Sequence, residues 1–211
     1  MTLYRYYKGA ERALRWRAIE IEREGPRLAS EDVMFATVLA LSEKPDRGEA
    51  VSENAKYWGP FFVDIDNDDS IASAIKTAKA VINKLLSLKV SEKSISLWAS
   101  GKRGFHITVP MGVYTEDTPV LKLPLIYRQM AIAMKLFDLA DVDATVYSTG
   151  RGRMWRLENK LRPDNNRYKV RLTVAELLDL TPERYEEFVS SPRSIEVEEV
   201  VERSSLLSAL Y

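Results

Sequence analysis

Three runs near the middle of the chain alternate apolar and polar side chains with a period of two. Strands that turn one face to a core and the other to a site have this pattern. In residues 61–66, Phe61, Val63 and Ile65 share one face and Asp64 and Asp66 the other. In 105–109, Phe105, Ile107 and Val109 oppose His106 and Thr108; in 142–147, Val142, Ala144 and Val146 oppose Asp143 and Thr145. This agreement predicts one sheet with helices behind it and an open polar site in front.

The intervening segments supply the helices. Asn67-Asp68-Asp69-Ser70 is turn chemistry with a good N-cap, after which Ile71, Ile75, Ala78, Ile82 and Leu85 recur at helical spacing to about Lys89. Residues 123–139 are helical in period, with Ile126, Met130, Ala133, Met134 and Phe137 on the buried side, and 174–180 and 182–189 form two short helices. A strand over 94–100, the glycine turn 101–104 and the returning strand suit a hairpin. Residues 143–147 and 168–172 add strands, the latter after the irregular Asn165-Asn166. Upstream, 14–24 is charged and helical in period until Gly25-Pro26, and the apolar run 33–41 is a strand closed by Lys44-Pro45-Asp46-Arg47-Gly48. Trp58-Gly59-Pro60 then turns the chain into the first alternating run. The order strand–helix–hairpin–helix–strand predicts an α+β fold on a split βαβ sheet with helices on one face. No internal repeat or low-complexity linker divides the chain.

Composition narrows the chemistry. The 211 residues are 45% hydrophobic, enough for one large domain or two packed lobes. There is no cysteine, which excludes disulfides and zinc–thiolate sites and fits a cytoplasmic protein. No apolar run is long enough to span a bilayer, and the aromatic, basic N-terminus is unlike a signal peptide. Formal net charge is zero but unevenly spread. Residues 147–171 carry eight Lys/Arg against Glu158 and Asp164, a net of +6, whereas 176–202 carry nine Asp/Glu against Arg184 and Arg193, a net of −7. A basic stripe beside a carboxylate site suits a polyanionic ligand. The acidic segment, 176–211, is expected to be helical and to follow a catalytic core over 1–175.

Asp64 and Asp66 at alternate strand positions, with Asp143 across the sheet, supply hard oxygen ligands suited to two Mg²⁺ or Mn²⁺ ions. The turn Ser100-Gly101-Lys102-Arg103-Gly104 offers backbone N–H groups and cations to phosphate oxygens, and His106, the only histidine, points to the same side. Arg151, Arg153, Arg156 and Lys160 follow the third carboxylate, where guanidinium forks can hold a triphosphate or a template backbone. Trp58, Trp98 and Trp155 flank these segments, as base-stacking platforms or as packing.

In order, Phe62-Val63-Asp64-Ile65-Asp66, Ser100-Gly101-Lys102-Arg103-Gly104-Phe105-His106 and Val142-Asp143 resemble the three motifs of the archaeo-eukaryotic primase superfamily. The middle one is also similar to the Ser-Gly-x-x-Gly-x-His run in polymerase domains of bacterial end-joining ligases. Residues 147–160 resemble the arginine segment after the third motif in plasmid and phage primase-polymerases. The resemblance implies an RRM-like catalytic sheet packed with an N-terminal α/β unit. It implies metal ligation by Asp64, Asp66 and Asp143, and phosphate contacts from Ser100, Lys102, Arg103 and His106 with Arg153 or Arg156. It further implies NTP or dNTP substrates, a single-stranded or primed DNA template, and a helicase or accessory subunit as a possible partner. The chain departs from the family in having no cysteines for the usual zinc element and no extra helical domain, so polymerisation is better supported than unaided initiation. Two rival readings use the same residues: a non-catalytic nucleic-acid-binding module and a metal-dependent phosphohydrolase. The basic glycine turn suits holding a polyphosphate better than presenting a water nucleophile.

Overall fold

The computed structural model describes residues 1–9, 17–21, 33–45, 49–67, 69–198 and 200–211. Along the chain β1 (Tyr4–Gly9), β2 (Arg17–Glu20), β3 (Val33–Thr37), β4 (Ala40–Leu41) and β5 (Lys56–Trp58) lead into β6 (Phe61–Asp66) and α1 (Ile71–Ser87). There follow β7 (Ser96–Ala99), β8 (Gly104–Val109), β9 (Val120–Leu121), α2 (Leu123–Ala133), β10 (Met154–Arg156), β11 (Leu161–Arg162), β12 (Arg167–Tyr168) and β13 (Val170–Leu172). Three helices close the chain: α3 (Val174–Leu178), α4 (Pro182–Val189) and α5 (Ser205–Ser208).

The alternating runs build a four-stranded antiparallel sheet in the order β13-β7-β8-β6. β6 and β7 are parallel with β8 between them, and α1 crosses over to connect them, as the split βαβ pattern predicts. The chain then returns through α2 to the free edge of β6, where Val142 forms a single antiparallel bridge with Ile65. This is the strand arrangement of an RRM-like unit, its fourth strand reduced to one residue pair. Ser70 caps α1, its Oγ accepting from the Ser73 N–H, and the inner face of that helix buries Ala74, Ile75, Ala78, Val81, Ile82 and Leu85. Close burial of such a stripe against a sheet stabilises each large aliphatic side chain by about 1.5–3 kcal/mol.

The second sheet has β10, β3, β1, β4, β5 and β9 as successive neighbours, with β2 also paired to β1. It takes β9 and β10 from the later half of the chain, so the two units interleave. A buried relay pins their junction: the Phe61 N–H donates to the Tyr114 hydroxyl, which shares a 2.7 Å hydrogen bond with Tyr127, which donates to the carbonyl of Gly59.

Several expectations need correction. Within 14–24 the described residues include strand β2, not a helix: its residues pair with β1, from Tyr4 with Glu20 to Tyr7 with Arg17. The rest of that predicted helix, like the turn residues 46–48 and Asp68, lies outside the described residues. The predicted strand 33–41 is broken at Val38 and Leu39. From Tyr7 opposite Ala36, an unbroken ladder would put Leu39 opposite Tyr4, yet Tyr4 pairs with Leu41. Thr37 holds the irregularity, donating to the Leu39 carbonyl and accepting from the Tyr6 N–H. The helix predicted over 123–139 ends at Ala133, because Lys135 adopts a left-handed conformation (φ 57°) before a 3-10 turn over Leu136–Asp138. The strand predicted over 143–147 is a 3-10 turn (Ala144–Val146), because the Asp143 carboxylate caps the Thr145 N–H and so competes with a ladder. The strand predicted over 168–172 divides between β12 and β13.

Candidate active site

Pairing register brings the separate motifs into one row. Asp64 lies opposite His106, and His106 lies opposite Trp98. On the other edge of β6 the Asp143 N–H donates to the Asp64 carbonyl at 2.9 Å, which puts Asp143 beside Asp64. Directly opposed residues project to the same side of a sheet, so Asp143, Asp64 and His106 share the front face. Asp66, two residues along β6, follows on that face and is exposed.

This front is not open, as the sequence suggested. β10 lies across it and brings Arg153 and Trp155 against the row. Arg153 Nε donates to Asp64 Oδ2 at 2.9 Å, and its Nη2 lies 3.6 Å from Asp143 Oδ2. Trp155 Nε1 donates to the same Asp64 oxygen at 3.1 Å. The Trp155 indole also stacks on His106, with ring centroids 4.0 Å apart and planes 9° from parallel. Trp155 is therefore buried and cannot stack a base; it holds the aspartate and the imidazole in fixed positions. Trp58 and Trp98 are half-buried, and their indole N–H groups donate to Asp117 and Glu158.

Electrostatics follow from this burial. Loss of water raises the Asp64 pKa despite the opposing effects of Arg153 and the two hydrogen bonds. Burial, with the cations of Lys169, Arg153 and Arg156, presses His106 well below its ordinary value, so the imidazole is neutral. Its Nε2 is 3.7 Å from Asp64 Oδ1, too far for a hydrogen bond, and its buried Nδ1 has no partner. Lys169 is buried between the Trp98 and Trp155 rings, 4.8 and 5.2 Å from their centroids, and desolvation lowers it to about 7.

A cavity of about 220 Å³ opens beside this row. Asp64, Asp66, Ser100, His106, Arg153 and Arg156 line it with Phe35, Ile65, Met154, Trp155 and Arg162. Arg156 is distinctive: its Nε and Nη1 are buried without a hydrogen-bond partner, its guanidinium lies 5.5 Å from the Phe35 ring, and desolvation lowers its pKa to about 10. Arg162 adds a second cation, itself held by Asp164 at 2.8 Å. The cavity lining thus combines two carboxylates with three guanidinium groups.

Other expected residues lie elsewhere. Lys102, Arg103, Asp143 and Lys160 do not line the cavity. Arg151 donates to the Glu49 carbonyl and borders a different cavity of about 450 Å³. The glycines of the basic turn are required by the protein's own packing: a Cβ at Gly104 would meet the Ile65 carbonyl oxygen at 2.0 Å, and one at Gly101 the Tyr168 oxygen at 2.6 Å. Nor do the carboxylates form a ready metal cage. Among the described residues no three acidic or histidine side chains converge on a metal position, and Arg153 bridges Asp64 and Asp143. Sequence reasoning missed Phe35, Met154, Arg162 and Lys169. Arg162 and Lys169 belong to the basic stretch, but nothing distinguished them from its other cations, and Phe35 sits in a run that reads only as core.

No protein-family model matches the chain, and no curated protein matches it. Solved structures do. The polymerase domain of Mycobacterium tuberculosis ligase D, determined in complex with DNA, superposes with a TM-score of 0.50 at 18% identity, over 87% of this chain and 69% of that one. The primase-polymerase domain of cyanophage S-2L aligns with a TM-score of 0.41 at 14% identity, over 89% of each chain. With a split βαβ sheet and a second sheet folded across its front, the chain has the fold of that ligase D polymerase domain.

Proposed function

We propose that the cavity binds the polyphosphate of a nucleoside triphosphate and that the protein is a metal-dependent, template-directed nucleotidyltransferase. The observation carrying this reading is Arg156, which lines the same cavity as Asp64 and Asp66 and whose guanidinium has two buried nitrogens without partners. Buried donors are nearly always satisfied, and a phosphate supplies the missing acceptors in the geometry a guanidinium prefers. His106, held neutral by burial and by the surrounding cations, offers a second contact through Nδ1. Arg162 and Ser100 complete the anionic subsite.

Asp64 and Asp66 present only oxygen donors to the cavity, which fit Mg²⁺ or Mn²⁺. Binding there requires Arg153 to leave Asp64, and the incoming phosphates give that guanidinium an alternative anion. Bound divalent ions lower the pKa of an attacking hydroxyl and neutralise a leaving pyrophosphate. The chain itself fixes the carboxylates by sheet register, excludes water with Trp155 and Phe35, and holds the phosphates for in-line attack on the α-phosphorus. A single-stranded or primed DNA template and NTP or dNTP substrates belong to this proposal. Among the described residues no helix is long and apolar enough to cross a membrane.

Primer extension and de novo synthesis on single-stranded DNA, comparing dNTPs with NTPs under each metal, test the reading. Asp64→Ala should abolish incorporation in a folded protein. Undiminished incorporation by that variant would refute the assignment. Salt-sensitive DNA binding without incorporation would make the chain a binding module, and phosphate release without extension a phosphohydrolase.

A further inference from the structure

Asp143 reaches the site on an unusually slender support. The segment carrying it pairs with β6 through one bridge, and the 3-10 turn begins immediately afterwards, at Ala144. Two main-chain hydrogen bonds hold the register: Asp66 N–H to the Asp141 carbonyl (3.0 Å) and Asp143 N–H to the Asp64 carbonyl (2.9 Å). Slipping such a pairing by one residue would turn the Asp143 side chain to the opposite face.

The Asp141 side chain supplies the missing rigidity. It is 6% exposed, and its contacts are all with neutral donors: Asn67 Nδ2 (2.7 Å) on Oδ1, and Ser73 Oγ and Thr77 Oγ1 (both 2.9 Å) on Oδ2. Ser73 and Thr77 form a polar pair, four residues apart, in the otherwise apolar inner face of α1. Asn67 directly follows Asp66, and its Oδ1 accepts from the N–H groups of Asp69 and Ser70 at the start of that helix. Three hydrogen bonds thus join the 141–143 segment to α1 and to the residue that follows Asp66.

We propose that Asp141 is a positioning residue which, by tying the 141–143 segment to α1 and to Asn67, sets the placement of Asp143 and Asp66 relative to Asp64. The inference rests on the nucleotidyltransfer reading and extends it to a residue that touches neither metal nor nucleotide.

The test uses the full chain in four forms: wild type, Asp141→Ala, Asp141→Asn and the double variant Ser73→Ala/Thr77→Val. Mn²⁺ binding is followed by loss of the free-ion electron paramagnetic resonance signal, alongside kcat and nucleotide KM in primer extension and a thermal unfolding check. Losing an outer support typically lowers metal affinity or activity about 10- to 100-fold. Asp141→Ala should fall in that range for both Mn²⁺ affinity and kcat, with KM within about threefold because Arg156 and His106 stand on other strands. Asp141→Asn has the same shape, and the two hydroxyls can rotate to accept from its amide, so it should restore most of both losses. Wild-type Mn²⁺ binding and kcat in folded Asp141→Ala would overturn the inference, as would an Asp141→Asn variant as impaired as the alanine one, since charge and not position would then matter. If Asp141→Ala does not fold, the double variant decides: it removes two of three anchors, and an unchanged kcat and Mn²⁺ affinity would refute the role. A wild-type chain that binds Mn²⁺ without extending a primer would overturn the nucleotidyltransfer reading alone, and the Mn²⁺ comparison would still decide the role of Asp141.

Discussion

Replacing Arg156 by methionine should make the protein more stable and less able to hold a nucleotide. Methionine keeps an aliphatic stem of similar length, gives up the guanidinium's contact with the Phe35 ring, and removes the charge and both buried unpartnered nitrogens. An unsatisfied buried donor costs about 1–3 kcal/mol, and the lower end applies here because the side chain is only partly buried. A gain of about 1 kcal/mol corresponds to about 2–4 °C in melting temperature for a chain of this size. In the complex the same groups would make charge-assisted bonds to phosphate worth about 1.5–3 kcal/mol. Their loss should weaken triphosphate binding about 10- to 100-fold. The pKa near 10 leaves the arginine charged at neutral pH, so the effect needs no change in protonation. Thermal unfolding with and without a titrated nucleoside triphosphate reads both quantities in one experiment. A lower melting temperature together with unchanged nucleotide affinity would mean that the guanidinium serves the fold, and the anionic subsite would lose its principal support.

Other expectations follow from the same geometry. Trp155→Phe keeps a ring over His106 but deletes the indole N–H from Asp64, so kcat should fall by about tenfold with little change in nucleotide KM; an equal change in both would tie the indole to the phosphate subsite instead. Lys169 is held at about 7 when folded against an ordinary 10.5. Between those values the unfolded chain binds a proton that the folded chain lacks, so stability should rise with pH from about 7 towards 10. Lys169→Met should flatten that rise, and parallel stability–pH curves for the two proteins would refute the assignment. Gly104→Ala drives a methyl into the Ile65 carbonyl and should cost about 1–3 kcal/mol by wedging β6 from β8; an unchanged urea midpoint would show that the strands part freely.

Alternation of side chains was enough to identify β6 and β8, to place Asp64, Asp66 and His106 on one face, and to find α1 with its serine cap. These are properties of neighbouring residues: strand and helix periodicities are local, and a face follows directly from a period. The split βαβ order was legible for the same reason, since short connections and crossover helices leave few topologies. What the sequence could not show is what lies across the front of that sheet. β10 has only three residues, and its basic, glycine-flanked context conceals a strand whose partner, β3, lies more than a hundred residues earlier. That long-range pairing buries Trp155 against His106 and brings Arg153 to Asp64, and it turns a site expected to be open into a covered one whose carboxylates are already engaged. Gly101 and Gly104 make the same point. Their presence was plain, but whether a glycine makes room for a phosphate or for a neighbouring carbonyl depends on which backbone approaches it. Packing between distant segments determined that approach, the isolation of Arg156 and the anchoring of Asp141, because burial and hydrogen-bond satisfaction belong to the assembled fold and not to any stretch of chain.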